Sequence, residues 1–172
     1  IVNKKKLGQF FTTNVDYILS GFENVVNNKS VLDPFAGSGD LLNWAIKNKA
    51  LSATGFDIDK TLLSNKISFN DGLKMIPKSD FNLTNPPYLA KNKMTKDQKN
   101  EYMNNSYEDF YLLAISKIIE SDPHEGIIII PINFFSAENS DHLRKTFLKK
   151  YKVSKVNYFK NQVFDDTTYN VV

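Results

Sequence analysis

The residues best suited to take part in a reaction form a short turn after an apolar run, Asn85-Pro86-Pro87-Tyr88. The two prolines fix φ and remove two backbone donors, so this turn is rigid and presents acceptors. The Asn85 side chain and the Pro86 carbonyl can accept hydrogen bonds from a planar exocyclic amine, while the Tyr88 ring can lie against a flat substrate. The same four residues are also compatible with a proline-rich loop that only caps a strand.

A second turn lies upstream, between a predicted strand and a predicted helix. Residues 31–34 predict a short buried strand, and residues 41–47 predict a helix from their apolar spacing. Between them, Gly37 and Gly39 would let the backbone approach a ligand closely, beside the exposed N–H groups at the start of the helix. A glycine turn needed only for packing is the alternative.

Carboxylates follow the next two strand-like segments. Asp57 lies in the segment 52–59. It follows the glycines by about twenty residues, the sequence spacing at which an acid accepts hydrogen bonds from ribose hydroxyls. Asp59 has a simpler explanation, since it precedes residues 60–63 and can cap a helix there. Asp71 could accept a hydrogen bond from an adenine amino group or could belong to an Asn-Asp-Gly turn. These acids predict a nucleoside-binding site beside the glycine turn.

The chain resembles the S-adenosylmethionine-dependent DNA adenine-N6 methyltransferases of restriction-modification systems. The resemblance lies in the glycine turn, the acids and the Asn-Pro-Pro-Tyr turn, which occur in this order. Because residues 6–13 precede the glycine turn, the arrangement is similar to the gamma class of that family. The resemblance covers nearly all of the chain. It implies transfer of a methyl group from S-adenosylmethionine to N6 of an adenine flipped out of double-stranded DNA. The Asn-Pro-Pro-Tyr turn is shared with enzymes that methylate protein glutamine or RNA.

The resemblance also implies roles for individual residues. Thr12 and its neighbours match the segment that holds the methionine end of the cofactor, and Asp33 orders the glycine turn or meets the cofactor's amino group. Phe164 matches the aromatic residue that stacks on the flipped base, opposite Tyr88, although an apolar plug is the alternative. The predicted catalytic residues are Asn85, Pro86, Pro87 and Tyr88. The predicted cofactor site comprises Phe11, Thr12, Thr13, Asp33, Phe35, Ala36, Gly37, Gly39, Asp57, Ile58, Asp71 and Asn85.

Composition sets limits on the function. The 172 residues, 41% of them hydrophobic, suit one α/β domain, and no apolar run is long enough to predict a membrane span. The absence of cysteine excludes thiol catalysis and cysteine-bound zinc. His124 and His142 are too far apart in sequence to suggest a metal site. The net charge of +3 permits DNA as a partner, and residues 4–6 and 91–96 are either phosphate contacts or solvated surface.

Alternating strand and helix patterns predict a mostly parallel sheet. With the resemblance, this implies an α/β, doubly wound, seven-stranded Rossmann-like fold with helices on both faces. Residues 89–106 have no clear period and predict a mobile loop near the substrate. Downstream of it, the predicted elements are helices at 107–119 and 140–148 and strands at 126–131, 153–159 and 168–172.

The chain begins without methionine and stops inside a predicted strand, so we expect residues 1–172 to be a catalytic and cofactor-binding domain that lacks a downstream target-recognition domain. The resemblance implies a cognate restriction endonuclease as a further partner and the cytoplasm of a prokaryote, or of a virus-infected cell, as the location. Two alternatives stay open, a protein-glutamine or RNA methyltransferase and a non-catalytic binding subunit. The segment 9–12 argues against the first, and the intact Asn-Pro-Pro-Tyr turn argues against the second.

Overall fold

The computed structural model describes residue 12 and residues 14–103, 107–160, 163–164 and 170–172. The strands are β1 (Ser30–Asp33), β2 (Ser52–Asp57), β3 (Ile67–Phe69), β4 (Phe81–Thr84) and β5 (Glu125–Ile128). The α-helices are α1 (Val15–Ile18), α2 (Asp40–Lys47), α3 (Lys96–Tyr102), α4 (Phe110–Ser121) and α5 (Asp141–Lys150). Short 3₁₀ turns occupy Lys60–Leu62, Lys91–Lys93, Ile132–Phe135 and Glu138–Ser140.

The five strands form one parallel sheet in the order β3-β2-β1-β4-β5. The chain builds outward from β1 to β3, then returns to the other side of β1 to add β4 and β5. The topology therefore reverses between β1 and β4, and ligands of open parallel sheets bind at the carboxyl edge beside such a switch point. The glycine turn, Asp57 and the Asn-Pro-Pro-Tyr turn all follow strands at this edge. The α/β parallel fold that we predicted is confirmed.

Apolar side chains cover both faces of the sheet. The largest cluster of buried apolar side chains, called the main core cluster below, contains Val31 of β1 together with residues of α2 and α4. Leu32, the next residue of β1, packs in a separate cluster with Ile118. This alternation follows from the pleat, which sends successive side chains to opposite faces. All four residues of the interior strand β4 are buried. The ends of β1 and β4, where Asp33 and Asn85 lie, are therefore fixed by packing on both faces of the sheet.

Gly55 in β2 lets the glycine turn lie directly on the sheet. A Cβ atom at this position would lie 2.6 Å from the Ala36 Cβ and 2.8 Å from the Leu42 Cδ1, both impossibly close. The backbone uses this closeness, because the Ala36 N–H donates to the Phe56 carbonyl at 2.8 Å. The turn after β1 is thereby tied to the neighbouring strand.

Seven strands are not confirmed, since the described residues contain five. The prediction of a strand at 153–159 is wrong, because this segment forms no strand ladder. Its polar side chains bond instead to the end of α1, where Asn157 donates to the carbonyls of Ile18 and Ser20. Of the predicted strand 168–172, only residues 170–172 are described, and Val171 there forms an antiparallel bridge with Pro131.

The prediction of a loop over residues 89–106 is wrong in part, because α3 lies within them; residues 104–106 lie outside the described part. A capping box starts this helix: the Gln98 N–H donates to the Thr95 hydroxyl at 3.2 Å, and the Thr95 N–H donates to the Gln98 side chain at 3.0 Å. The cap predicted at Asp59 is confirmed, although the helix that follows is only one 3₁₀ turn. In the described parts of the chain, no helix is long and apolar enough to cross a membrane.

Candidate active site

The glycine turn joins β1 to α2 through two residues in the left-handed region. Gly37 has φ of 54° and Gly39, the N-cap of α2, has φ of 85°. Residues with a Cβ rarely adopt these angles, so glycine is required for the tight turn. The N–H of Phe35 donates to the Asp33 Oδ1 at 3.0 Å, which fixes the start of the turn.

Asp57 anchors this turn from the next strand. Its Oδ2 accepts from the Gly37 N–H and its Oδ1 from the Asp59 N–H, both at 2.8 Å. Burial raises the pKa of the Asp57 carboxyl, and the hydrogen bonds from backbone N–H groups oppose that rise. The side chain predicted to bind ribose thus also holds the glycine turn in place.

Asp33 is buried at the end of β1 and connects this strand to β4. Its Oδ1 accepts from the Thr84 hydroxyl at 2.6 Å, whereas its Oδ2 is buried and has no hydrogen-bond partner among the described residues. Burial raises the pKa of Asp33 to about 7; the bonds from Thr84 and Phe35 oppose this rise, and the charge of Asp57 adds to it. A buried carboxylate oxygen without a partner is costly and fits a cationic or N–H donor supplied by a ligand.

Asn85 follows β4 and is held by two other parts of the chain. Its side-chain amide donates to the Thr12 hydroxyl at 3.1 Å, and its Oδ1 accepts from the Tyr88 hydroxyl. Tyr88 also bonds to the Ile129 carbonyl at 2.7 Å, beyond the end of β5. This network orients the amide that we predicted to face a substrate amine.

Two neighbouring cavities share Phe35, Gly37 and Asn85 at the carboxyl edge of the sheet. The first, of about 70 Å³, is also lined by Asp57, Ile58, Asn70, Asp71, Gly72, Leu73, Pro87, Gln98, Tyr102 and Phe110. The second, of about 20 Å³, is also lined by Thr12, Asp33, Ala36, Ser38, Asp40 and Leu41. A larger cavity of about 770 Å³ lies beside β5 and α5 and contains none of the acids predicted to bind the cofactor.

Most of the predicted cofactor residues therefore meet around these two cavities. Gly39 lines neither one and acts through the backbone as the cap of α2. Phe11 and Thr13 lie outside the described residues. Sequence reasoning missed the contribution of Gln98, Tyr102 and Phe110. The Thr-x-x-Gln capping signal could have revealed the helix that carries the first two.

Asp71 forms the predicted turn and also contacts α3. Its Oδ1 accepts from the Leu73 N–H at 3.1 Å, as expected for an Asn-Asp-Gly turn. Its Oδ2 accepts from the Tyr102 hydroxyl at 2.9 Å, and the residue lines the first cavity. The turn is confirmed, and the role toward adenine stays a prediction.

The two aromatic residues predicted to stack on a base are both buried in the main core cluster. Tyr88 is 1% exposed and packs edge-on against Tyr111 with ring centroids 6.3 Å apart, and Phe164 is 4% exposed. Stacking stays a prediction for both residues, and it requires that these rings become accessible. Removal of Phe164 would also open the core, which typically costs about 3–5 kcal/mol of stability for a buried aromatic residue.

The described part of the chain contains no group of three or more acidic or histidine side chains suited to hold a metal ion. The polar groups at the carboxyl edge are instead carboxylates, an asparagine and hydroxyls arranged beside a glycine turn. The fold defines a class, the doubly wound parallel α/β proteins, in which the ligand site lies at the topological switch point.

Comparison with known proteins identifies the family. The sequence profile of the Eco57I restriction-modification methylase family matches residues 10–164, and the chain belongs to that family. It is 29% identical over 184 aligned positions to the type II methyltransferases M.HincII and M.HindII of Haemophilus influenzae. The alignments cover 98% of this chain but only 37% and 36% of those proteins.

Solved structures support the fold. The methyltransferase subunit of a type I restriction-modification system from Streptococcus thermophilus superimposes with a TM-score of 0.57 at 15% sequence identity. The match covers 94% of this chain and 43% of that subunit. At this identity the likeness shows a shared fold, and the chemistry must be argued from the site.

Proposed function

We propose that this chain is the catalytic and cofactor-binding region of an S-adenosylmethionine-dependent DNA methyltransferase that modifies the N6 amino group of adenine. The observation that carries the proposal is the position of Asn85. It lines both cavities, and it directly follows the strand whose Thr84 bonds to Asp33. An amide that can accept from a substrate amine therefore borders the site predicted for the methyl donor.

The residues present fit the cofactor that the family resemblance implies. The partnerless Asp33 Oδ2 matches the cationic amino group of a methionine moiety. Asp57 would meet the ribose hydroxyls, while Ile58 and Asp71 border the cavity assigned to the adenine ring. When bound, S-adenosylmethionine supplies an electrophilic methyl group on its sulfonium.

The chain's own contribution is alignment and electrostatic stabilisation. Asn85 Oδ1 and the Pro86 carbonyl would accept hydrogen bonds from the target N6, which orients its lone pair toward the methyl donor. These acceptors would stabilise the positive charge that N6 gains as it is methylated, and N6 would then release one of its two protons to water. The Thr12 hydroxyl and the Ile129 carbonyl hold Asn85 and Tyr88 before substrate arrives, so little reorganisation is needed.

We further propose that double-stranded DNA is the macromolecular partner and that recognition of its sequence depends on residues outside 1–172. We also propose that the protein works in the cytoplasm with a cognate restriction endonuclease. Membership of the restriction-modification methylase family supports these proposals. The relatives M.HincII and M.HindII are much longer than this chain.

The deciding experiment incubates the full-length protein with tritiated S-adenosylmethionine and, separately, unmethylated genomic DNA, total RNA and total protein. We expect label in DNA alone, recovered as N6-methyladenine after digestion to nucleosides. Label in RNA or in glutamine side chains would replace the DNA proposal with one of the alternatives. Cofactor binding without transfer to any of the three substrates would favour a non-catalytic subunit.

The elevated pKa of Asp33 predicts that cofactor binding depends on pH. Below about pH 7 the free Asp33 carboxyl is protonated, and it must lose its proton to receive a cationic amino group. Affinity should therefore fall by up to about tenfold per pH unit as the pH drops below 7. Calorimetric titrations at pH 8, 7 and 6 measure this dependence.

Two variants control for other titrating groups. Asp33→Asn keeps an oxygen for Thr84 and Phe35 but cannot ionise, so it should bind weakly at pH 8 and lose the dependence below pH 7. Asp16→Asn removes an exposed carboxyl paired with Lys47 and should keep the parent's dependence. A pH dependence that persists in Asp33→Asn would show that another group titrates.

A further inference from the structure

Helix α3 packs loosely against the domain, with its last residue, Tyr102, partly buried against a core cluster. None of its seven residues is buried, whereas Met94 before it and Met103 directly after it are buried in one cluster with Leu73 and Phe110. A helix without a buried residue gains little from packing, so it can move at low cost while its flanking methionines stay in place.

Two polar contacts fasten the C-terminal end of α3 to the segment after β3. The Tyr102 hydroxyl donates to the Asp71 Oδ2 at 2.9 Å, and the Lys74 Nζ lies 2.5 Å from the Glu101 Oε1. Tyr102 and Asp71 both line the larger of the two site cavities. Their hydrogen bond therefore joins α3 to the segment after β3 at the edge of that cavity.

Other walls of this cavity are more firmly packed than α3. They include Asp57 at the end of β2 and Phe110 at the start of α4, and both of these residues are buried. Movement of α3 is therefore the least costly way to widen the cavity so that a ligand can enter or leave.

We propose that α3 is a lid over the nucleoside end of the cofactor site, and that the Tyr102–Asp71 and Glu101–Lys74 contacts hold it closed. This inference rests on the proposed placement of the cofactor in that cavity. The lid must open for S-adenosylmethionine to bind and again for the spent cofactor to leave. Tyr102 and Glu101 therefore set how fast the cofactor exchanges.

A lid has a kinetic signature that differs from that of a direct ligand contact. Weakening the closed state of both the free and the bound protein speeds association and dissociation by similar factors, so the dissociation constant changes little. Loss of a direct contact instead speeds dissociation alone and weakens binding in proportion. The two rates measured together thus separate the two roles.

The test measures association and dissociation of tritiated S-adenosylmethionine by rapid filtration, which needs no catalysis. We expect Glu101→Gln to raise both rates about two- to fivefold, as loss of an exposed ion pair allows. Tyr102→Phe should raise both about tenfold, because it removes a hydrogen bond to a carboxylate but keeps the ring that packs against Phe110. The dissociation constants should stay within about twofold of the parent value.

A matched control is available on α4, where Lys117 and Glu120 form a similar ion pair at 2.8 Å. Glu120→Gln should leave both rates unchanged. At 1 M salt, where the Debye length is about 3 Å, the parent and Glu101→Gln should exchange cofactor at the same rate. Thermal unfolding of each variant would verify that the fold is intact.

Two outcomes would overturn the lid. Unchanged rates in both α3 variants would show that the helix does not limit exchange, and faster dissociation with unchanged association would make these residues ordinary contacts. In either case the parent still binds S-adenosylmethionine, so the proposed function survives. If the parent does not bind it at all, the proposed function and the lid both fail.

Discussion

Replacement of Asn85 by alanine is expected to lower the rate of methyl transfer by about 10²–10³, because it removes a preorganised acceptor for the target amine. The cofactor dissociation constant should change little, since Asp33 and Asp57 stay in place. Single-turnover transfer to DNA, with cofactor affinity measured separately, tests both statements. The full-length protein should be used, so that DNA binding does not limit the rate.

Asn133 offers a matched control for this substitution, since it is an exposed asparagine in the 3₁₀ turn Ile132–Phe135 that follows β5. Asn133→Ala should transfer methyl groups at the parent rate. Thr12→Val should fall between the two, because it removes the hydroxyl that holds the Asn85 amide but keeps the acceptor itself. A folded Asn85→Ala protein with the parent rate would exclude Asn85 from the chemistry.

Replacement of Asp57 by alanine is expected to weaken S-adenosylmethionine binding by about 10- to 100-fold, or about 1.5–3 kcal/mol, through loss of charge-assisted hydrogen bonds. The structure adds a second reason for a large effect. The Gly37 N–H also loses its acceptor, and the glycine turn is no longer tied to β2 by this side chain. Calorimetric titration of the folded variant provides the measurement.

Asp59→Ala is the appropriate comparison, because it removes a nearby carboxylate that caps only the short 3₁₀ turn. It should bind the cofactor within about twofold of the parent. Asp57→Asn should weaken binding less than Asp57→Ala, since one oxygen is still available to the backbone. Parent-like binding by a folded Asp57→Ala protein would refute the assignment of the ribose site.

The residues at the carboxyl edge could be predicted because each follows a strand with a clear apolar signal. Asp33, Asp57 and Asn85 come at or directly after strands of the sheet, and parallel strands bring their carboxyl ends together. The lid helix could not be found in the same way, since apolar periodicity reveals only helices with a buried face. Its capping box was the one local sign, and the contact of Tyr102 with Asp71 depends on tertiary packing.

Long-range packing also explains the buried position of Tyr88. Its hydroxyl finds an acceptor at Ile129 and its ring packs against Tyr111, on elements far away in the chain. The incorrect strand at 153–159 has a similar cause. The segment has strand-like composition, but the side chains of Lys155 and Asn157 bond to backbone carbonyls between Ile18 and Gly21. Such contacts leave no local signal in the sequence.

The hydrogen bond from Thr84 to Asp33 makes the two halves of the site thermodynamically dependent on each other. Thr84 immediately precedes Asn85, and Asp33 is the residue assigned to the cofactor's amino group. A cofactor bound to Asp33 would hold the strand end that presents Asn85 more firmly and would so favour binding of the target base. Because linkage is reciprocal, a bound target base must raise cofactor affinity by the same factor. Methyl transfer would then take place mainly from the ternary complex, in which the protein holds the cofactor and the target base together.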